Sequence, residues 1–439
     1  MKTISIFSIF ITLAFLFSCQ STTTNTADAK AIPALLNRAH LIGPEEEMGF
    51  MLDQYTKLTE KIKSNPNDYE SKLGLAELFM MEARISGEHG YYYPAALQVI
   101  NDVLAQELKD PTMYCALLDK SSVLLSLHQF AEAKSIGEKA VQYNSYSADI
   151  YGVLVDANVE LGNYDKAIEY ADKMVSIRPD LRSYSRVSYL REIHGLVDES
   201  IAALKMAVAA GYPGMEQTEW ARLTLGHLYE RYGSQDSAMM QYATALAERP
   251  NYPFAIASMA KTYASMGQSQ KADSLNEVAR NLIPEVSFFV DKATWEKSNG
   301  NTSAVNKLSR EILDMMADDE KAGHKMGLEL SKVYLNLVND TDNALRAALT
   351  EYSVRPENID VNKMLAEIYY AKGDEVKTKE HLQKALATGS KDPELKCLEG
   401  LMMSKTAQVE EGTKLIQSVF VETPYLDCSF CKEARSIIL

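Results

Sequence analysis

Any chemistry in this chain has to come from a few side chains, and the one close reactive pair is Cys428-Ser-Phe-Cys431, near the C-terminus. Two cysteines at that spacing suit a local disulfide, a redox-active dithiol or half of a metal site, since zinc normally takes three or four ligands. The nearest histidine in sequence is His381, and no second ligand pair adjoins. A redox dithiol needs its first cysteine at a helix N-terminus, which CKEARSIIL can supply, but the βαβ surroundings of thioredoxin-like motifs are missing. The favoured reading is a local disulfide or inert dithiol. Cys115 and Cys397 fall on predicted helices far apart in the chain and read as buried small hydrophobes.

The histidines (His40, His89, His128, His194, His227, His324 and His381) are scattered, with no HExxH or other paired spacing. The chain has no phosphate-cradling GxxxxGK[ST], no GxGxxG and no GxSxG. Acidic runs such as Glu45-Glu46-Glu47 and Asp318-Asp319 read as solvated helix ends. The expectation is a non-catalytic protein without cofactor or metal. Its 439 residues are 46% hydrophobic, enough for an extensive core, and 60 acids stand against 45 bases for a net charge of −15. That field repels nucleic acid and anionic lipid, and no basic block overrides it. No nucleic-acid partner is expected.

The first residues, MKTISIFSIFITLAFLFSC, place Lys2 before an uncharged apolar run from Ile4 to Phe17. The run is short for a membrane span and suits a signal-peptide core. Leu16-Phe17-Ser18-Cys19 resembles the bacterial lipobox, with Phe17 bulkier than usual. The resemblance implies cleavage before Cys19, lipidation of Cys19 and a membrane anchor; Gln20 in place of an aspartate favours an outer-membrane address. The expected organisation is a signal peptide at 1–18, a lipidated polar tether at 19–31 and a capping helix region at 32–64, with one amphipathic helix over Pro44–Lys63. A repeat array at 65–427 and a CxxC tail at 428–439 follow.

The elements that must position any site emerge from a repeat. Numbering a unit from Glu219, Gly226, Ala238 and Ala245 are small where two antiparallel helices cross. Tyr229 and Tyr242 fill the space beside these contacts, Gly233 permits the reversal between helices and Ser234 is placed to cap the second. Pro250 ends the unit. Successive unit starts at Tyr114, Ala148, Leu181, Glu219, Pro253, Val286, Lys325, Ile359 and Pro393 lie 33 to 39 residues apart. The pattern resembles the tetratricopeptide repeat, with its period of about 34 residues. It implies an all-α, right-handed superhelical solenoid of about nine to ten helical hairpins. Loops are expected at 209–217 and 318–324, with an insertion at 84–94. Tyr91, Tyr92 and Tyr93 within that insertion read as local core.

Tetratricopeptide arrays bind extended peptides or helices along a concave face lined by the first helix of each hairpin. Carried onto this sequence, the resemblance assigns Arg182, Tyr189, Trp220, His227, Arg231, Phe254 and Lys261 to that groove, with aromatics as anchors and cations to fix a carboxylate. It departs from the carboxylate clamp of chaperone-binding repeats, whose paired asparagines are missing. The functional expectation is a membrane-anchored scaffold in the bacterial envelope that binds a protein or peptide partner. A thiol–disulfide or metal protein using Cys428 and Cys431, and a surface nutrient-capture lipoprotein, are the alternatives.

Overall fold

The computed structural model describes residues 31–438. Leu35–Leu439 forms one compact unit; Cys19 and the segment expected to be a signal peptide lie outside the described residues. Among the described residues there is no strand. Helix α1 (Glu45–Ser64) is followed by ten hairpins. The first five are α2 (Tyr69–Ser86) with α3 (His89–Leu104), α4 (Asp110–Ser126) with α5 (Phe130–Val141), α6 (Ala148–Glu160) with α7 (Tyr164–Ile177), α8 (Leu181–Ile193) with α9 (Val197–Ala210), and α10 (Glu216–Arg231) with α11 (Gln235–Glu248). Next come α12 (Pro253–Ser265) with α13 (Ser269–Leu282), α14 (Val286–Ser298) with α15 (Thr302–Lys321), α16 (Gly327–Val333) with α17 (Thr341–Val354), α18 (Ile359–Ala371) with α19 (Glu375–Ala385), and α20 (Pro393–Ser404) with α21 (Val409–Glu422). A short α22 (Cys431–Ile438) ends the chain.

The hairpins close because small residues recur on the second helix. Ala133, Ala140, Ala167, Ala238, Ala245, Ala279, Ala344 and Ala348 are all 0% exposed, and each lets the first helix approach closely. In the α10–α11 hairpin the fit is tight: a Cβ at Gly226 would stand 2.2 Å from the Tyr242 ring. Ser234 occupies the N-cap position of α11 but makes no capping bond, its hydroxyl turning instead to Ser237. Other helices are capped as their sequences suggest, α8 by a reciprocal Asp180–Ser183 box and α20 by Asp392.

Three local expectations need correction, the first being the loop at 318–324, where α15 runs on to Lys321. The stretch 84–94 holds no inserted loop: α3 begins at His89 and carries Pro94 inside it. Tyr92 and Tyr93 are thereby buried in the first hairpin, with Tyr91 edge-on to Tyr92. Cys115 is exposed, not a core residue. The eighth hairpin's first helix changes to a π-helical turn at Tyr334–Val338, which ends at the left-handed Asn339; asparagine tolerates that conformation better than most side chains.

A repeat array usually joins each unit only to its neighbours. Here a second set of contacts links residues almost two hundred apart. The Gln129 amide donates to the Gly323 carbonyl (2.8 Å, 194 residues apart), and Lys325 N–H to the Leu127 carbonyl (3.0 Å). Asn358 donates to the Glu160 carbonyl (3.0 Å), Ile359 N–H to the Tyr164 hydroxyl (2.8 Å), and Thr388 to the Ile193 carbonyl. Every one joins a turn within an early hairpin to a loop that follows a later one. At about 34 residues per hairpin, the array coils back on itself after five to six units, and successive coils touch along a seam. Its first contact is a buried ion network. Arg249, 0% exposed, donates to both carboxylate oxygens of Glu47 at 2.7 and 2.9 Å, across 202 residues. Glu47 also accepts from Arg38, which pairs with Glu82. Burial alone would raise the Glu47 pKa, but the two guanidiniums outweigh it and hold the carboxyl below its ordinary range.

Candidate binding channel

Coiling turns the concave face into a channel that stays partly open to solvent. Its main cavity, about 700 Å³, is walled by α10, α12 and α14 with the starts of α11 and α13 from one coil, by α18 and α20 from the next, and by the tail segment Thr423–Asp427 with Arg435. Of the seven residues assigned to the groove, the cavity brings together His227, Arg231 and Lys261. The other four lie outside its lining. Arg182 is held by Asp149 and Gln217. Tyr189 is 37% exposed. Trp220 packs edge-on against Phe254 at 5.5 Å, and Phe254 continues into Phe288 and Tyr252, so this aromatic pair joins the packing between hairpins.

The channel's charges differ from the cationic clamp that the groove residues suggest. Six acids (Glu230, Asp273, Asp291, Asp392, Glu394 and Asp427) line the cavity against four bases (Arg231, Lys261, Lys363 and Arg435). Most of the bases are already engaged. Arg231 pairs with Glu192, Lys363 with Asp392 and Glu394 at 3.3 and 2.5 Å, and Arg435 donates to the carbonyls of Pro424 and Leu426. Among the described residues, the side chains of Asp291 and Asp427 find no hydrogen-bond or salt-bridge partner, and neither does that of Lys261. The pattern of acids was readable in the sequence as single residues, but their convergence required the coil.

Wall groups meet water yet have protein on nearly every side, which weakens their solvation. Desolvation pushes Asp291 up to about 6, with Lys261 opposing and Glu230 adding to the rise. Glu367, one turn beyond Lys363 on α18, is pushed up to about 7 by burial, partly offset by Lys363. His227 accepts or donates a hydrogen bond at Ser258 Oγ (2.7 Å). Burial, reinforced by Lys261 and Arg231, pushes its pKa down to about 3, so it is neutral at physiological pH and a polar, uncharged wall group.

At the far end of the array the tail carries the cysteine pair. Cys428 and Cys431 are joined by a disulfide at the start of α22. Cys397, on α20, is buried as expected for a small hydrophobe, but it does not stand apart: its sulfur and those of Cys428 and Cys431 all lie within 4.8 Å of one another. The sequence separates Cys397 from the pair by a whole hairpin, so only the packing of α22 against α20 reveals the cluster.

Comparison with known proteins fits this architecture. Residues 124–191 match the family model described as tetratricopeptide repeat, a stretch spanning the end of α4 to α8. No curated protein matches the chain. Among solved structures, a thermophilic repeat protein from Thermus thermophilus is 24% identical, covering 41% of this chain and 91% of that one, with a TM-score of 0.35. The type IV pilus biogenesis factor PilW is 19% identical, covering 45% and 91%, with a TM-score of 0.38. The Cut9–Hcn1 assembly of the APC/C is 14% identical, covering 85% and 73%, with a TM-score of 0.43. The coil is therefore read from this chain's own contacts. Residues 124–191 thus carry a tetratricopeptide repeat, and helical hairpins of the same kind precede and follow it.

Proposed function

We propose that the protein is a non-catalytic scaffold whose channel captures an extended protein segment bearing positive charge. The observation that supports this is the acid-rich cavity, six acids against four bases, in which Asp427 makes no ion pair and Asp291 faces only the field of Lys261. Its volume falls within the roughly 300–1,000 Å³ of ligand pockets. A cationic segment answers those two carboxylates, whereas a C-terminal carboxylate would meet excess like charge. Fluorescence anisotropy with a lysine-rich and a glutamate-rich decapeptide of equal length tests the idea. The basic peptide should bind, and Asp291→Asn with Asp427→Asn should weaken it by about two- to fivefold per charge removed. Binding should also fall between pH 7.5 and 5.5 as Asp291 takes up a proton. Preference for the acidic peptide would overturn the reading.

We place the scaffold at a bacterial outer membrane, tethered through Cys19, on the strength of the lipobox resemblance at Leu16–Cys19. More than one acyl chain makes such anchoring stable. Cys19→Ala should shift the protein from the membrane fraction to a soluble or unprocessed form; an unchanged fractionation and migration would remove the anchor from the model.

A further inference from the structure

Three of the four cysteines among the described residues converge at one point, although a disulfide needs only two. Cys428 and Cys431 come from the tail, Cys397 from α20, and their sulfurs lie mutually within 4.8 Å. Cys397 and Cys431 are 0% and 2% exposed, while Cys428 is half-buried. We propose that in the reduced chain Cys397, Cys428 and Cys431 form a three-thiolate site for a thiophilic divalent cation such as Zn²⁺.

The geometry suits such an ion. A tetrahedral Zn–S distance of about 2.3 Å puts ligand sulfurs roughly 3.7–3.8 Å apart, so a cation can draw Cys397 in from within 4.8 Å. Releasing the Cys428–Cys431 bond lets those two sulfurs spread to the same separation. A CxxC pair plus one cysteine from a neighbouring helix is a usual ligand supply for zinc. Charge also nearly balances: a divalent ion with three thiolates carries −1, and Arg435 supplies a positive charge on the same helix as Cys431. Arg435 is itself fixed by the Pro424 and Leu426 carbonyls and lies over the Phe420 ring, so the counter-charge is held in place.

The disulfide form seen here and the metal form exclude one another. An external dithiol reductant supplies two electrons and two protons to the Cys428–Cys431 bond and leaves as its own disulfide, giving two free thiols. Binding of M²⁺ then displaces the protons of three thiols as the three metal–sulfur bonds form. The metal form would tie the tail to α20 through Cys397, whereas the disulfide closes only a turn within the tail, next to the segment that walls the channel. The site is independent of the peptide reading above.

The experiment reduces the purified protein with a phosphine, removes the reductant anaerobically and titrates Cd²⁺, whose sulfur-to-metal absorption counts bound thiolates. The wild-type chain should take one ion with the intensity of three thiolates, and the oxidised chain none. Cys397→Ser should lower the intensity by one third and the affinity by at least about tenfold, the smaller loss typical of removing even an outer partner. In parallel, one equivalent of Zn²⁺ should protect Cys397, Cys428 and Cys431 of the wild-type chain from alkylation while Cys115 still reacts. This readout stands even if the serine variant folds poorly. Equal titration by wild type and Cys397→Ser, or alkylation of Cys397 undiminished by Zn²⁺, would overturn the proposal.

Discussion

Arg355 and Glu160, 195 residues apart in sequence, form an ion pair across the seam between successive coils. Arg355 is 4% exposed, also holds Glu351 at 2.8 Å and lies over the Phe130 ring. Burial pushes Glu160 up to about 7 even though Arg355 pulls it down, so desolvation wins at this site and the pair is fully ionic only above that pH. Arg355→Met should cost about 2–3 kcal/mol, the lower part of the range for orphaning a buried charge because Glu160 keeps some water. The loss should be larger at pH 8 than at pH 6, since below about 7 the parent's Glu160 is itself protonated. Urea unfolding at the two pH values measures this, and adding Glu160→Gln should recover most of the loss. A pH-independent loss would show that packing over Phe130, not the ion pair, carries the contact.

The turn glycines supply an internal control for the seam. Gly233 and Gly267 both adopt left-handed backbone, φ +87° and +74°, so alanine at either costs about 1 kcal/mol of strain. They differ in what faces them. A Cβ on Gly233 would stand 1.9 Å from the Glu422 carbonyl oxygen, whereas one on Gly267 meets nothing within 4 Å. Gly233→Ala should therefore lose a further 1–3 kcal/mol or so through overpacking and speed hydrogen exchange in α21, while Gly267→Ala leaves α21 unchanged. Equal effects of the two substitutions would mean that the coils touch too loosely for the seam to matter.

These contacts mark where sequence reading stopped. Helix, turn and crossing residues were legible because each is dictated within one hairpin, as Gly226, Gly233 and Ala238 show. The seam was not, because coil closure sums a small rotation over five to six hairpins and leaves no local signature in Glu160 or Arg355. The same reason hid the gathering of Asp291, Asp392 and Asp427, whereas the Cys397 cluster depends on how α22 folds back on α20. Arg182 and Arg231 were readable as cations on concave helices, but their partners Asp149 and Glu192 come from neighbouring units, which a unit-by-unit reading does not pair. The π turn at Tyr334–Val338 is marked in sequence only by Asn336 and by Asn339-Asp340 after it, which suit a helix end but do not specify the π geometry.

Asp119, on α4, is 4% exposed and its Oδ2 has no partner among the described residues. Burial, with the Glu77 carboxylate adding to it, pushes its pKa up to about 8. The native chain then binds a proton that the unfolded chain, with an Asp pKa near 3.9, releases much earlier. Stability must fall as pH rises from about 4 to about 8 on this account. Asp119→Asn keeps the shape and removes the proton linkage, so it should stabilise the protein by about 1–3 kcal/mol at pH 8, the scale of one unsatisfied buried group. The advantage should shrink steadily toward pH 4. A flat difference across that range in chemical denaturation would show that Asp119 is ionised and partnered in solution.

Trp220 separates the channel from the wider concave face. It is 49% exposed and stands edge-on to Phe254 at 5.5 Å, outside the cavity lining. If capture of a basic segment is confined to the channel, Trp220→Ala removes one aromatic pair and costs about 0.5–1.5 kcal/mol of stability, while the affinity for the lysine-rich decapeptide stays within a factor of about two. An anchor residue of a binding site behaves differently, since truncating it costs on the order of 2 kcal/mol of binding, about thirtyfold in affinity. Anisotropy titration of Trp220→Ala beside Asp291→Asn, with melting curves for both, separates the two cases. Loss of peptide binding in the tryptophan variant with its melting temperature preserved would move the site out of the channel and onto the exposed face formed by α10 and α12.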